Sequence, residues 1–298
     1  MSDILQVCAL VLAAPLAQGT VQWVKARLQG RRGAPPWQPY WLVLKLLRRR
    51  AVWPEGAGVV LRLAPVVALA AVLVAASSVP VFAPVPTAEL LLAVFALALA
   101  RFALALGGLD TGTPFGGLGS SREMTLGALT EPVLLAATLP FVVAAGTTAW
   151  HALIRASIAM GSLDVVRLAA FGGLFLVLVA ETGRLPVDNP DTHLELTMVH
   201  EAMLLEYSGP ALGIVSLGVW VKQLVLIALV SDLALPWAMH LGASGVLWTL
   251  AKWAGLCVAL GVAESLTAKL RFFGIPGYLG AAFAFSLSAL MLQVVGVH

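Results

Sequence analysis

The feature that most constrains this chain is a series of eight long apolar stretches. An α-helix needs about 20 mostly apolar residues to cross the hydrocarbon core of a membrane, because it rises only about 1.5 Å per residue. The stretches have or approach this length, and they cover residues 4–23, 59–82, 89–109, 132–154, 165–180, 210–235, 245–266 and 277–297. We therefore expect an all-α, polytopic transmembrane helical bundle of about eight spans, with residues 1–298 forming a single integral membrane domain.

The composition argues against a soluble enzyme and against several kinds of cofactor site. Hydrophobic residues make up 60% and charged residues 11% of the chain, whereas soluble domains carry about 25% charged residues. The two cysteines, Cys8 and Cys257, lie far apart in apolar stretches, and iron–sulfur clusters and structural zinc sites take about four ligands. No GxGxxG follows a predicted strand. We therefore expect no catalytic centre, cofactor or metal in this chain.

Lysine and arginine fall almost entirely on one side of the predicted bundle. If eight spans alternate in direction, 13 of these residues share the side of the loop between the first two spans, and two lie opposite. The 13 are Lys25, Arg27, Arg31, Arg32, Lys45, Arg48, Arg49, Arg50, Arg62, Arg122, Arg184, Lys269 and Arg271, and the two are Arg155 and Arg167. Because basic loops remain in the cytoplasm, both termini are expected outside. This flanking pattern explains the net charge of +3 without a nucleic-acid partner.

The first loop also contains a shorter segment, WQPYWLVLKLLRRR, at residues 37–50. It is too short to cross a membrane, begins with aromatic residues and ends in a basic run. This pattern is typical of an amphipathic helix lying in the membrane interface. A loop helix packed on other protein is an alternative, and the two interpretations are compatible.

Several ionisable residues lie within or at the ends of the predicted spans. Arg101 lies in the third span, Lys222 in the sixth, and Lys252 and Glu264 in the seventh. Such groups persist mainly where they face a bundle interior or a water-filled path. Glu131 opens the predicted fourth span, where capping of the helix start is the alternative role.

Six of the 15 acidic residues occur in one passage of 29 residues, ETGRLPVDNPDTHLELTMVHEAMLLEYSG, which begins at Glu181. Its prolines and glycine break the fifth span, and Glu181 can pair with Arg184 across one helical turn. A helix can resume after the break, with Glu195 and Glu206 on one face and Glu201 on another. Clustered carboxylates in a low-dielectric site suit a proton relay.

Two other interpretations of this passage stay open. For Asp188 and Asp191, a solvated cytoplasmic loop is at least as good an interpretation as a proton relay. A metal site is less favoured, because the spacing is not HExxH and no third ligand converges. The residues considered as metal ligands are His193, Glu195, His200 and Glu201.

The acidic passage resembles the most characteristic segment of the membrane subunit of formate hydrogenlyase (the subunit 4 type) and related energy-converting nickel–iron (NiFe) hydrogenases. That family is similar to the first membrane subunit of respiratory complex I, whose matching loop carries ETxRxPFD and ends in EYSG. Two further stretches of the sequence support this resemblance. RFALALGGLDTGTPFGGLGSSREMTLGALTEP, at residues 101–132, resembles the hydrogenase branch, and KARLQGRRGAPPWQPYWLVLKLLRR, at residues 25–49, resembles both branches.

The resemblance implies a subunit of eight spans without a redox centre, which joins a membrane arm to a peripheral arm. The NiFe and iron–sulfur centres are then expected in partner subunits. Implied partners are the hydrogenase large and small subunits, a ferredoxin-like iron–sulfur subunit, antiporter-like membrane subunits and the lipid of the cell inner membrane. Implied proton-pathway residues are Glu131, Glu181, Glu195, Glu201, Glu206 and Lys222. Implied residues for docking of the peripheral arm are Arg184, Asp188, Asp110 and Arg122.

We therefore interpret the chain as a membrane-anchoring, proton-handling subunit of a formate hydrogenlyase-like complex, which links the peripheral redox arm to ion translocation. The alternative is a quinone-site subunit of an NADH dehydrogenase-like oxidoreductase. DNPDTHLELT, GLDTGTPFGG and Leu42, where the family usually has aspartate, favour the hydrogenase. The lack of an internal repeat disfavours a stand-alone secondary transporter. Formate, carbon monoxide and ferredoxin are all compatible electron donors, and either H⁺ or Na⁺ is compatible as the translocated ion.

The partition of basic residues predicts the topology. Reporter fusions placed after Arg50 and after Ala243 are expected to lie in the cytoplasm and outside it, respectively, because an odd number of predicted spans separates the two positions. Paired reporters that are active only in the cytoplasm or only outside it make the measurement. Two fusions on the same side would contradict the arrangement of eight spans.

Overall fold

The structure is a computed structural model that describes residues 2–81, 88–160, 164–188, 199–235, 243–268, 270 and 272–295. Its regular elements are helices, and these residues contain no β-strand. In chain order they are α1 (Ser2–Leu28), α2 (Gln38–Leu47), α3 (Val59–Ser77), α4 (Leu90–Asp110), α5 (Pro114–Ala145), α6 (Trp150–Ala159), α7 (Val165–Glu181), α8 (His200–Leu204), α9 (Gly209–Ala234), α10 (Ala243–Leu266), a 3₁₀ turn (Phe272–Gly274) and α11 (Ile275–Val295). The predicted all-α helical bundle is confirmed.

Seven helical segments in the described parts of the chain are long and apolar enough to cross a membrane. They correspond to α1, α3, α4, α5, α9, α10 and the segment Phe272–Val295 that contains α11. The predicted fifth span is α7, which has 17 residues and so lies at the lower limit of about 17 residues for a spanning helix. The polytopic architecture is therefore established, and the count of eight spans stays a prediction.

The boundaries predicted for the fourth span are wrong. Thr113 accepts a hydrogen bond from the backbone N–H of Gly116 at 3.2 Å, and Pro114 occupies the first helical turn, so α5 begins there rather than at residue 132. The left-handed Gly146, with φ of 68°, ends the helix and separates it from α6. Glu131 thus lies inside a 32-residue helix, which excludes the alternative role of capping the start of that helix.

The helix α9 forms the centre of the bundle. Residues 223–234 are all buried, as expected for a helix that is apolar on every side. Neighbours of α9 include α1, α2, α3, α7 and α10. The polar residues of α9 therefore project into the protein interior, whereas α11 leaves Phe283, Phe285 and Met291 exposed on the outside.

The predicted amphipathic segment is present as the ten-residue helix α2. It packs on α1 and α9, and the Tyr40 hydroxyl donates a hydrogen bond to the carbonyl of Leu12. Its opposite face exposes Trp37, Trp41 and Leu44. One face thus packs on protein, and the other has the aromatic and apolar side chains that suit a membrane interface.

Asp110, at the end of α4, stabilises the start of α3. Gly58 precedes that helix and offers no side-chain cap, but the Asp110 Oδ2 atom accepts a hydrogen bond from the Leu61 N–H at 2.9 Å. The absence of a side chain at Gly58 allows this approach, since a Cβ there would lie 2.2 Å from the carboxylate.

We expect Asp110→Ala to lower the free energy of unfolding by about 0.5–2 kcal/mol, the typical effect of losing a helix cap. Asp110→Asn keeps an acceptor oxygen and is the matched control. Thermal unfolding of the subunit in detergent measures both. An unchanged midpoint in the alanine variant would show that this carboxylate does not act as a cap.

Candidate functional site

Arg101 on α4 is the centre of a buried ionic cluster. Its guanidinium contacts three carboxylates: Glu131 at 2.9 Å, Glu123 at 3.4 Å, and Glu181 in a short contact. Only 8% of Arg101 is exposed. The guanidinium fits against α5 because position 127 is glycine, where a Cβ would come within 2.5 Å of the Arg101 Nη1 atom.

Glu181, the last residue of α7, joins this cluster to α9. Its Oε2 atom contacts both the Arg101 guanidinium and the Lys222 ammonium, the latter at 2.9 Å. The chain then turns through Gly183, with φ of 59°, which directs Arg184 towards another helix. The predicted pair between Glu181 and Arg184 is therefore wrong, because each residue has other partners.

Arg184 forms a second buried network with α1, α9 and α10. Its guanidinium contacts Glu264 at 2.7 Å and donates hydrogen bonds to the side-chain oxygens of Gln18 at 2.5 Å and Gln223 at 2.8 Å. The other carboxylate oxygen of Glu264 contacts Lys25 at 2.7 Å. Glu264 is thus held between two cations, as Glu181 is in the first cluster.

The two networks border a shared cavity of about 160 Å³. One wall is apolar and includes Leu69, Val72 and Leu104. The polar residues of its lining are Gln18, Arg101, Glu123, Thr130, Glu181, Thr182, Arg184, Asp188, His200, Glu201, Lys222 and Gln223. Because a buried water needs room and two to four polar partners, this cavity can hold several waters in contact with both networks.

The structure brings together several of the predicted proton-pathway residues. Glu131, Glu181 and Lys222 belong to the Arg101 cluster, and Glu201 lines the cavity. Glu206 is partly buried but is not part of the described cavity lining. Glu195 lies outside the described residues, as do His193, which was considered as a metal ligand, and the loop residue Asp191.

Two of the four predicted docking residues are buried, and the other two are partly buried. Arg184 and Asp188 are each 4% exposed, and Asp188 accepts the His200 backbone N–H at 3.2 Å. Within the acidic passage, this hydrogen bond joins Asp188 to the start of α8. Asp110 caps α3, and the partly buried Arg122 lies over the Phe272 ring, 5.7 Å from its centroid.

Tyr207, at the entry to α9, is buried against Gly107 of α4, where a Cβ would lie 2.3 Å from the phenol oxygen. Burial raises the pKa of the Tyr207 hydroxyl to about 12, and the negative charge of Asp110 contributes in the same direction. The phenol therefore keeps its proton at neutral pH. In EYSG, the tyrosine side chain therefore packs as a neutral phenol against α4, at the start of α9.

Sequence reasoning missed part of the site. Arg101 and Glu264 stood out as charges within spans but were assigned no role, and Glu123 and Gln223 were not singled out at all. Lys25 was counted only as a loop cation, although it pairs with Glu264. The sequence signal for Glu123 is its spacing from Glu131. Eight residues separate the two, which places them on a similar face of α5.

Comparison with known proteins places this architecture in a family. Residues 2–295 match the NADH dehydrogenase family. The chain is 35% identical to hydrogenase-4 component C of Escherichia coli strain K12, over 98% of this chain and 95% of that protein. It is 33% identical to formate hydrogenlyase subunit 4 of the same organism, over 96% of each chain.

A solved structure has the same fold. It is that of the membrane-bound sulfane sulfur reductase, an archaeal respiratory membrane complex, and one of its chains superposes with a TM-score of 0.83 over 98% of this chain and all of that chain. At 16% identity this likeness concerns the fold alone. The family match over nearly the whole length and the two relatives above 30% identity confirm the resemblance of the motifs: this chain is an integral membrane protein and belongs to the NADH dehydrogenase family.

Proposed function

We propose that this chain is the membrane-anchoring, proton-handling subunit of an energy-converting NiFe hydrogenase complex of the formate hydrogenlyase type. The observation that carries the proposal is the Arg101 cluster, in which three carboxylates and two cations lie together beside a cavity that can hold water. Similarity to the two hydrogenase-related subunits at 33–35% identity supports the choice of complex.

The charge balance of the cluster favours proton exchange. Three carboxylates contact Arg101, and one of them also contacts Lys222, so the cluster holds three negative groups and two cations. A surplus carboxylate in a buried site is repelled by its neighbours, and uptake of one proton relieves that repulsion. The cluster as a whole is then a site that can bind and release one proton.

Position within the cluster suggests different roles for its carboxylates. Glu181 is almost fully buried between two cations, so it contributes to holding α4, α7 and α9 together. The Glu131 side chain is 35% exposed on the outside of a membrane bundle, where a carboxylate is unfavourable against lipid. This exposure favours a neighbouring membrane subunit at Glu131, to which the cluster could pass a proton.

The proposed partners follow from the two faces of the bundle. Hydrogenase large and small subunits and a ferredoxin-like subunit, which would hold the NiFe and iron–sulfur centres, attach at the basic side. Antiporter-like subunits pack alongside in the cell inner membrane.

The apolar wall of the cavity favours one alternative function, that of a quinone-site subunit in a complex I-like oxidoreductase. This alternative predicts that a quinone analogue would protect cavity residues from chemical labelling.

We expect Glu131→Gln to lower proton translocation about tenfold or more, since the amide can still accept the Arg101 hydrogen bond but cannot carry the proton. Assembly and electron transfer to artificial acceptors are expected to persist. The measurement is acidification by the intact complex in sealed vesicles during turnover. Glu55→Gln, the same change at an exposed loop position, is the control, and normal translocation in Glu131→Gln would contradict the proposed role.

Docking can be separated from folding with two arginines. Arg184→Ala is expected to reduce the amount of folded subunit, because loss of a partner in a buried ionic network costs about 3–5 kcal/mol. Arg122→Ala is expected to leave the subunit folded and to shift hydrogenase activity from the membrane to the soluble fraction. Arg27→Ala is the matched control, since Arg27 also stacks on an aromatic ring, 5.3 Å from the Trp23 centroid. Fully membrane-bound activity in the Arg122 variant would exclude that residue from the docking surface.

A further inference from the structure

A second ionisable pair lies near the other end of the two helices that carry Lys222 and Glu264. Asp232 on α9 is only 2% exposed. Its Oδ1 atom accepts a hydrogen bond from the Ser231 hydroxyl at 3.1 Å, whereas its Oδ2 atom has no hydrogen-bond partner among the described residues. A buried carboxylate with one unsatisfied oxygen is unfavourable in an apolar interior, and such groups mark functional sites within membranes.

Lys252 on α10 is the cation that acts on Asp232. It is partly buried and attracts the carboxylate electrostatically, but no ion pair of 4.0 Å or less joins the two in the described structure. Its ammonium donates a hydrogen bond to the Leu235 carbonyl at 3.0 Å, where α9 ends. The cation is thus anchored beside the carboxylate without neutralising it through direct contact.

Each of the helices α9 and α10 carries two charged residues at different heights along its axis. At each height, the charge on α9 is opposite in sign to the charge on α10. On α9, Lys222 and Asp232 are ten residues apart, which corresponds to about 15 Å along the helix axis. On α10, which packs against α9, Lys252 and Glu264 are twelve residues apart, or about 18 Å. At the level of the cavity α9 carries the cation and α10 the carboxylate, whereas at the other level α9 carries the carboxylate and α10 the cation. The residues of α9 between the levels, 224–230, are apolar and buried.

The other charged groups near this end of the bundle have partners of their own. Arg167 on α7 donates hydrogen bonds to the carbonyls of Ser157 and Met160, the latter at 2.6 Å. Asp164 caps α7 by accepting the Val166 N–H at 2.9 Å. The Ser157 hydroxyl donates to the Leu233 carbonyl and so fixes α6 against the end of α9. These contacts position the helix ends, and they leave Asp232 and Lys252 as the pair available for exchange.

We propose that Asp232, with Lys252 beside it, is a second proton-binding site of this subunit, on the side of the bundle opposite the basic loops. The carboxylate takes up a proton on Oδ2 from water and returns it to water, and the Lys252 ammonium stabilises the anion after release. No electron or other group is transferred. This inference rests on the proposed proton-handling function and adds to it a site near the opposite membrane surface.

Three variants of the intact complex in sealed vesicles test the inference. Asp232→Asn is expected to lower proton translocation about tenfold or more while hydrogenase activity with artificial acceptors persists. Asp164→Asn is the matched control, because it is the same substitution at a buried position on the same side, and asparagine also caps helices well. Glu131→Gln reports on the Arg101 cluster in the same assay.

The combination of results separates the two proposals. Loss of translocation in Asp232→Asn and Glu131→Gln, with normal Asp164→Asn, supports both. Loss in Glu131→Gln alone overturns the second site and leaves the proposed function standing. Normal translocation in all three overturns both, and equal loss in the Asp164 control shows a general structural effect and so overturns the specific role of Asp232.

Chemical labelling of the wild-type complex provides a second test, which does not require any variant to assemble. In native membranes, dicyclohexylcarbodiimide reacts with protonated carboxyl groups in apolar surroundings, and peptide mass spectrometry locates the adduct. We expect an adduct on Asp232 whose yield falls as the pH rises. Absence of the adduct, or protection by Na⁺ at constant pH, would overturn proton binding at this residue, the latter in favour of a sodium ion.

Discussion

The structure depends on the contact of one carboxylate, Glu181, with two cations on different helices. Arg101 and Lys222 come from α4 and α9, and Glu181 ends α7, so a single oxygen joins three helices inside the bundle. Burial of charges is costly, and breaking such a network by removing one partner costs about 3–5 kcal/mol. Helices that are almost uniformly apolar can slide or rotate against each other, and these contacts hold them in one register.

The same contacts explain why the site lies where the acidic passage begins. The turn at Gly183 ends α7 and directs Glu181 and Arg184 to opposite sides, one towards α4 and the other towards α10. Each network then has a carboxylate between two cations, and the cavity occupies the space between them. A displacement of His200 would be transmitted to both networks through residues 181–188, because Asp188 accepts the His200 backbone N–H and lies four residues after Arg184.

The sequence was sufficient to predict the fold class, because long apolar runs have few acceptable arrangements in a membrane, and its motifs predicted the family. The resemblance implied Glu131, Glu181 and Lys222 as pathway residues, but the sequence did not predict that they converge in one cluster. It was insufficient for the partners of each charge, since Glu181 and Arg184 are neighbours in the chain but contact different helices. The start of α5 was missed because its first turns are rich in glycine and serine, which allow close packing on α4 and α8 but resemble a loop. Arg184 and Asp188 were placed on the surface because a helix break suggests exposure, whereas burial here depends on helices distant in sequence.

The spacing of Lys222 and Asp232 along α9 has a consequence for the membrane potential. About 15 Å is half of the hydrocarbon thickness of about 30 Å. Carrying one elementary charge across the whole membrane is worth about 2.3 kcal/mol per 100 mV, so a proton that passed between these two levels would cross roughly half of the voltage, or about 1.2 kcal/mol per 100 mV. The fraction of Asp232 that is protonated would then depend on the membrane potential as well as on pH. A change in membrane potential would thereby change the net charge inside the subunit.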